Sequence, residues 1–280
     1  MIRIENVSAS ETLFNYQLGF DSPYFVTDYN NWEKSFAMDV DGEGRTLFRK
    51  LEVKAAYDGA ELIGFIQYGN TAFGFDERGE ISSDVTYCVI RNLFFDKGRE
   101  DAGKLLLAEA INYFKTTDGI YAYFHYFGMS CFGRHGKLYE KNNHIEELLR
   151  ESGFEIEHEN VYYSSLIDEL NESEVEIKQC DLTNGNQQYM DFRISDESVG
   201  GCEIHYVNNK SAYLRWIYIN DNITGKGIGT KCMDALKSLL YKNGFTRFDT
   251  DTAISNEAAC HFYEKNGFVR EGITRSFKKK

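Results

Sequence analysis

The sequence predicts an α/β fold made of two tandem copies of one domain, each with a sheet open at its middle. Three observations carry that prediction. In the second part of the chain, apolar runs at residues 174–180, 188–194, 202–207 and 213–219 precede a helical pattern, a strand, a second helix and a last strand. The first part repeats this order: a slide of 126 residues lays 88–93 (CVIRNL) over 214–219 (LRWIYI), Gly103 over Gly229, and 121–126 over 247–252. The 280 residues, 42% hydrophobic and 15% aromatic, suffice for two small cores.

Residues 10–40 read as one or two helices without a counterpart in the second part, placed to cover a substrate site. Further on, Leu138-Tyr139-Glu140-Lys141 echoes Phe262-Tyr263-Glu264-Lys265, and Gly153-Phe154 echoes Gly267-Phe268. A strand-like run at 161–167 ends in the acidic segment 168–173, which sets the expected domains at 1–170 and 171–280. In the second domain Asn208-Asn209-Lys210 reads as a hairpin turn. The helix at 230–242 buries Met233, Leu236, Leu239 and Leu240 at helical spacing and closes at Asn243-Gly244. After a strand at 246–252, a helix beginning near Asn256 sets Ala259, Phe262 and Tyr263 on one face and stops at Asn266-Gly267.

Composition narrows the function classes. The N-terminal MIRIENVSASETLF has neither the basic nor the apolar region of an export signal, and no apolar run approaches the ~20 residues of a membrane span, so a cytoplasmic location without membrane partners is expected. The six cysteines, Cys88, Cys131, Cys180, Cys202, Cys232 and Cys260, form no C-x-x-C pair; reduced buried thiols and no metal site are expected. The net charge of −13 lies entirely in the first domain: residues 1–170 carry 16 Lys and Arg against 29 Asp and Glu, the remainder 15 against 15. A nucleic acid would be repelled, whereas a cationic substrate is compatible with that balance.

The most informative local feature is Thr224-Gly225-Lys226-Gly227-Ile228-Gly229, set between an apolar run and a helix. Three glycines let the backbone approach a ligand closely, and the helix behind offers unpaired N–H groups and a positive dipole end, which suit a pyrophosphate. A purely conformational strand-to-helix turn would use glycine too. The G-x-G-x-G spacing does not fit a dinucleotide fingerprint, and Gly229-Thr230-Lys231 reverses the order a P-loop needs.

With the later run Asn256, Ala259, Phe262, Tyr263, Gly267 and Phe268, the second domain resembles the GNAT superfamily of acyl-CoA-dependent N-acyltransferases. The family loop R/Q-x-x-G-x-G/A is matched at its glycines and departed from at Thr224; N-x-x-A-x-x-F-Y-x-x-x-G-F is matched throughout and is the more specific. The resemblance implies two GNAT-like domains, each a mixed, mostly antiparallel sheet with a splayed centre flanked by helices. It implies a catalytic second domain and a degenerate first one serving as scaffold or substrate-shaping domain, with Glu100 and Asp101 standing where phosphate would lie. Acetyl-CoA would lie along Ile217, Tyr218 and Ile219. Its pyrophosphate would meet Thr224, Gly225, Lys226, Gly227, Ile228, Gly229 and Thr230, and Asn256, Ala259 and Phe262 would complete its site. Tyr263 holds the family's position for the acid that protonates the departing thiolate, and an N–H near Ile219 would face the carbonyl oxygen. Glu203 is the expected base, with Asp249 and Asp251 as others; His205 and His261 read as ordinary histidines. The expected activity is acetyl transfer to the primary amine of a small molecule or peptide, the alternative a non-catalytic acyl-CoA sensor or interaction module.

Overall fold

The computed structural model describes residues 1–41, 43–116, 119–179 and 186–280. In chain order the elements are β1 (Ile2–Asn6), α1 (Glu11–Leu18), α2 (Tyr29–Ala37), β2 (Phe48–Asp58), β3 (Glu61–Thr71), β4 (Gly74–Phe75), β5 (Ile81–Ser82), β6 (Cys88–Phe95), α3 (Glu100–Phe114), β7 (Ile120–Ala122) and β8 (Leu138–Tyr139). There follow α4 (Asn143–Glu151), β9 (Phe154–Leu166), β10 (Glu176–Gln179), β11 (Gln187–Ile194), β12 (Glu197–Tyr206), β13 (Ser211–Ile219), α5 (Ile228–Lys242), β14 (Arg247–Ala253), α6 (Glu257–Lys265) and β15 (Val269–Lys279). Among the described residues no helix is long and apolar enough to cross a membrane.

Two compact units result: Met1–Asp41, Arg45–Glu159 and Ile273–Lys280 form the first; Asn160–Gly272, with residues 43 and 44, forms the second. Besides residues 43 and 44, they differ from a division at 170 in two strands. Residues 160–166 of β9 pair antiparallel with β14 in the second unit, from Leu166↔Arg247 to Asn160↔Ala253. Residues 274–279 of β15 pair with β7 and β8 in the first. There Arg275 bonds Glu146 at 2.9 Å and Glu159, which fastens the last strand.

Both units realise the mixed, mostly antiparallel sheet. In the first, β1, β2, β3 and β6 pair antiparallel in that order and β7 joins β6 in parallel. In the second, β10, β11, β12 and β13 do the same and β14 joins β13 in parallel. The expected helices in 10–40 are α1 and α2, started by local caps: Ser10 Oγ accepts from the Leu13 N–H (3.3 Å) and Asp28 Oδ1 from the Asn31 N–H (2.8 Å). They bury Trp32, Phe36 and Leu13 in the first unit. The second unit packs Cys232, Met233 and Leu236 of α5 on Phe192, Cys202, Ile204, Leu214 and Phe248 of its sheet.

Of the thiols expected to be buried, Cys131, Cys202 and Cys232 are, whereas Cys88 and Cys260 are half-exposed; these five are free. Burial pushes Cys131 and Cys232 up to about 12. Cys180 lies outside the described residues.

Candidate active site

In the second unit β13 and β14 pair only from Ser211↔Arg247 to Leu214↔Thr250 and then separate. Just beyond, β12 pairs Ile204 with Leu214 and Glu203 with Trp216, so Arg215 is a bulge residue that adds local twist. The strands splay, and among the described residues no strand pairs with the β14-facing edge of residues 215–219. A cleft of about 660 Å³ opens there, lined by Ile217, Tyr218 and Ile219 of β13, Asp251 and Thr252 of β14, Asn256, Ala259, Phe262 and Tyr263 of α6, and the glycine loop. An extended chain can pair with such an edge.

The loop is built to approach a ligand. Gly225 and Gly227 both have φ of 80°, and a Cβ on either would meet nothing within 4 Å, so the space above them is open. A Cβ on Gly229 would lie 3.1 Å from Phe262 Cε2, so this glycine sets how closely α5 and α6 approach. Gly227, the N-cap of α5, has no side chain to cap the helix, and the first-turn N–H groups face the cleft with the positive end of the helix dipole. These features fit a pyrophosphate. Of the loop residues expected at the cofactor, Thr224, Gly225, Gly227, Gly229 and Thr230 line the cleft, whereas Lys226 and Ile228 do not. Lys226 Nζ donates to the Asn222 carbonyl (3.2 Å), and Ile228 packs against the core. The Thr224 hydroxyl donates to the Asn220 carbonyl (3.2 Å) and so fastens the turn that leads into the loop.

On α6, Asn256 is the cap, its Oδ1 accepting from the Ala259 N–H at 3.2 Å. Tyr263 is 6% exposed, its ring among Tyr163, Phe262 and Phe268 while one side meets the cleft. Beside its hydroxyl lies that of Thr250, which donates to the Leu214 carbonyl (3.0 Å) at the last β13–β14 pair. Burial, reinforced by the charge of Asp251 and opposed by the Thr250 hydroxyl, raises the Tyr263 pKa above the ordinary 10, so the phenol is protonated across the neutral range.

The three carboxylates considered from sequence separate clearly. Asp249 is fully buried and bonded to Tyr162 (2.7 Å) and Arg247 (2.9 Å). Glu203 does not line the cleft; Oε2 accepts from the Trp216 indole (2.8 Å) and Oε1 pairs with Arg215 (3.2 Å). Asp251 does line it, held by Tyr213 and Asn160. His205 is buried beside Asn186, and His261 is an exposed residue at the cleft rim. Among the described residues no cluster could hold a metal ion. Asn160 and Tyr163, from β9, were missed by sequence because the strand precedes the expected boundary; Trp216 and Thr252 carried no motif.

The buried tyrosines give a pH prediction. Burial raises Tyr162, Tyr213 and Tyr263 above 10, with Asp249 and Asp251 adding to the first two. Above pH ~10 the unfolded chain ionises these phenols and the folded one does not, so their stabilisation, full at lower pH, is lost as pH rises toward the folded values. Tm is expected to hold to about pH 9 and fall steeply above 10, with a shallower fall in Tyr162→Phe. Equal slopes in the two proteins would remove this assignment.

The first unit has the same splay, narrowed by its own side chains to a cavity of about 190 Å³ that Phe94 and Tyr123 line. Pairing of β6 with β7 stops at Ile90↔Ala122, and Arg91 is the bulge residue, as Arg215 is in the second unit. These registers set Ile90 against Leu214, two residues off the slide that matched Cys88 to Leu214. The loop that follows explains the shift: residues 96–99 separate β6 from α3, but 220–227 separate β13 from α5, four residues more. At the amino end of α3 the Asp101 carboxylate takes the Ala102 N–H (2.9 Å) and Glu100 the Gly98 N–H (3.2 Å). In the splay itself the Tyr123 hydroxyl bonds both the N–H (3.3 Å) and the carbonyl of Leu93.

The acetyltransferase (GNAT) family model matches residues 144–268. A kanamycin resistance protein of Rhizobium radiobacter is 44% identical over 54 residues, 19% of this chain; the match spans half the length of that relative. A tandem GNAT protein from the clavulanic acid biosynthesis pathway superposes with a TM-score of 0.66 at 10% identity, over 99% of this chain and 98% of that one. The glucosamine N-acetyltransferase region of a fungal multi-domain β-N-acetylglucosaminidase gives 0.68 at 10% identity, over 99% and 38%. A GCN5-related N-acetyltransferase from Sphaerobacter thermophilus gives 0.63 at 9%, over 99% and 95%. Likeness at these identities establishes the shared fold.

Proposed function

We propose, from the premise that this chain belongs to the GNAT superfamily of acyl-CoA-dependent N-acyltransferases, that its second unit moves an acetyl group from acetyl-CoA to a primary amine by direct attack. The observation that carries this reading is one open cleft shared by the uncapped glycine loop, the free edge of β13 and a protonated Tyr263. The cofactor supplies an acyl group already activated as a thioester. The edge of β13 at Ile217 to Ile219 aligns its arm, and the N–H groups at Gly227 to Thr230 hold its pyrophosphate. An N–H near Ile219 faces the carbonyl oxygen as negative charge develops there. Tyr263, protonated across the neutral range, gives its proton to the departing sulfur as the carbon–sulfur bond breaks.

The amine must shed a proton as its nitrogen bonds carbon, and Asp251 is the carboxylate the cleft offers for it. Glu203 is assigned a different task. Its bond to Trp216 has a counterpart in the first unit, where Asn92 Nδ2 donates to Gln67 Oε1 (3.0 Å) at the equivalent register, and a glutamine there is no base. Glu203 orients Trp216 and Arg215. The first unit, its loop shortened and the Leu93 backbone in its splay bonded by Tyr123, serves as scaffold or substrate-shaping domain. A cytoplasmic location completes the proposal.

The test incubates the protein with acetyl-CoA and a panel of amines, following thiol release, beside calorimetry with CoA. Turnover on an amine and one CoA per chain are expected. CoA binding without turnover would favour a sensor, and two CoA per chain would refute the role given to the first unit.

A further inference from the structure

The face of the second unit's sheet turned away from α5 carries three aromatic rings that the fold leaves open. Tyr189 of β11 and Trp216 and Tyr218 of β13 are 42%, 37% and 51% exposed, whereas the alternating Met190, Ile217 and Ile219 belong to the core side. The rings form a row, Tyr189 to Trp216 at 5.7 Å and Trp216 to Tyr218 at 5.8 Å between centroids. Scattered exposed aromatics are ordinary, but this row is contiguous and held at two points. The Trp216 indole donates to Glu203, which Arg215 holds from the other side. Tyr218 lies over Gly201, where a Cβ would come within 3.0 Å of Tyr218 Cε1.

The first unit shows what such a face looks like when closed. Asn92, at the register of Trp216, is buried; it bonds Gln67, whose amide donates to the Phe36 carbonyl of α2 (2.7 Å). Both helices come from the connection between β1 and β2, residues 7–47, whereas β10 and β11 are joined by residues 180–186 alone. Trp216 and Tyr218 also line the cleft, together with Asp251.

We infer that this row seats the acceptor, a primary amine borne by a ring with an apolar face, with the ring on Trp216 and Tyr218 and the ammonium directed to Asp251. The inference rests on the N-acetyltransferase reading and deepens it. Aromatic faces carry negative potential, so they attract both the polarised C–H edge of a ring and a cationic nitrogen, and Asp251 supplies the opposite charge. A linear alkylamine satisfies the carboxylate but leaves the aromatic faces in water.

The chain has two tryptophans, and the other, Trp32, is fully buried in the first unit, so Trp216 reports directly. CoA-saturated protein is titrated with an amino sugar, an arylalkylamine, a linear alkylamine and a short peptide, following Trp emission and calorimetry. A ring-borne amine is expected to shift the emission and bind about tenfold more tightly than the linear amine. Trp216→Leu is expected to remove most of that advantage, and Trp216→Phe, which keeps a ring but loses the bond to Glu203, to retain it. The two ring arms separate a sugar from an arene. Tighter binding of the linear amine or peptide, no emission change with either ring amine, or equal losses in the two variants would overturn the inference. Because binding is read without turnover, the failures are distinguishable: ring-amine binding without thiol release sinks acetyl transfer alone, and thiol release from linear amines alone sinks the seat.

Discussion

Tyr263→Phe is expected to lower kcat by about 10²-fold or more and to leave CoA affinity unchanged. The substitution removes one oxygen and keeps the ring, so the packing on Tyr163, Phe262 and Phe268 survives. What is lost is the proton donor. Without it the sulfur leaves as a bare thiolate, or water must donate from a site where the phenol is 6% exposed. Because burial holds the Tyr263 pKa above 10, the native protein should show no fall in kcat from this group below about pH 10, and the defect of the variant should be constant across the neutral range. Steady-state kinetics from about pH 6 to 9, with calorimetry for CoA, reads both quantities. A rate within about twofold of native would leave Tyr263 as packing alone and move the acid role elsewhere.

Much of this arrangement was legible in the sequence. The strands and helices of the second unit fall within a few residues of their periodic patterns, and Asn256 caps α6 as its motif implies. The exact repeat register was hidden, because a two-residue lag in the strands and an opposite one in the later elements average to the slide of 126 residues that string matching finds. The turn Ser195-Asp196 was equally silent: both residues have positive φ, 50° and 67°, in a place where Asn-Gly would have announced a hairpin. The partners of residues 160–166 and 274–279 are set by which sheet edge lacks a strand, a tertiary fact with no local pattern. For the same reason the sequence could not rank the carboxylates, since Glu203, Asp249 and Asp251 all lie on strands. Only their neighbours show that Arg215 and Trp216 occupy the first, Tyr162 and Arg247 the second, and that the third faces the cleft.

Gly227→Asp is expected to weaken CoA binding by about 10²-fold or more while the protein stays folded. At φ 80° with nothing within 4 Å, an aspartate has room and adopts a backbone region it tolerates, at a cost of about 1 kcal/mol. Its carboxylate then sits at the uncapped amino end of α5, where the first unit carries Glu100 and Asp101. Two like charges about 4 Å apart repel by roughly 4 kcal/mol at an effective dielectric near 20, and solvent at this exposed loop reduces that figure. Gly227→Asn separates charge from shape: it makes the same backbone demand and carries no charge, so it should cost only about threefold. Calorimetry at low and high salt reads the distinction, since the Asp defect should shrink with salt and the Asn defect should not. Equal losses in the two variants would mean that the loop's conformation, and not its field, governs binding. The reverse change, Asp101→Gly, should leave the stoichiometry at one CoA per chain. Removing that carboxylate neither lengthens the loop at residues 96–99 nor frees the backbone of Leu93 from Tyr123. On the role proposed for the first unit, the acidic helix start, the short loop and the Tyr123 contact each stand against a second cofactor, so one substitution is expected to weaken the second unit's site far more easily than one restores the first.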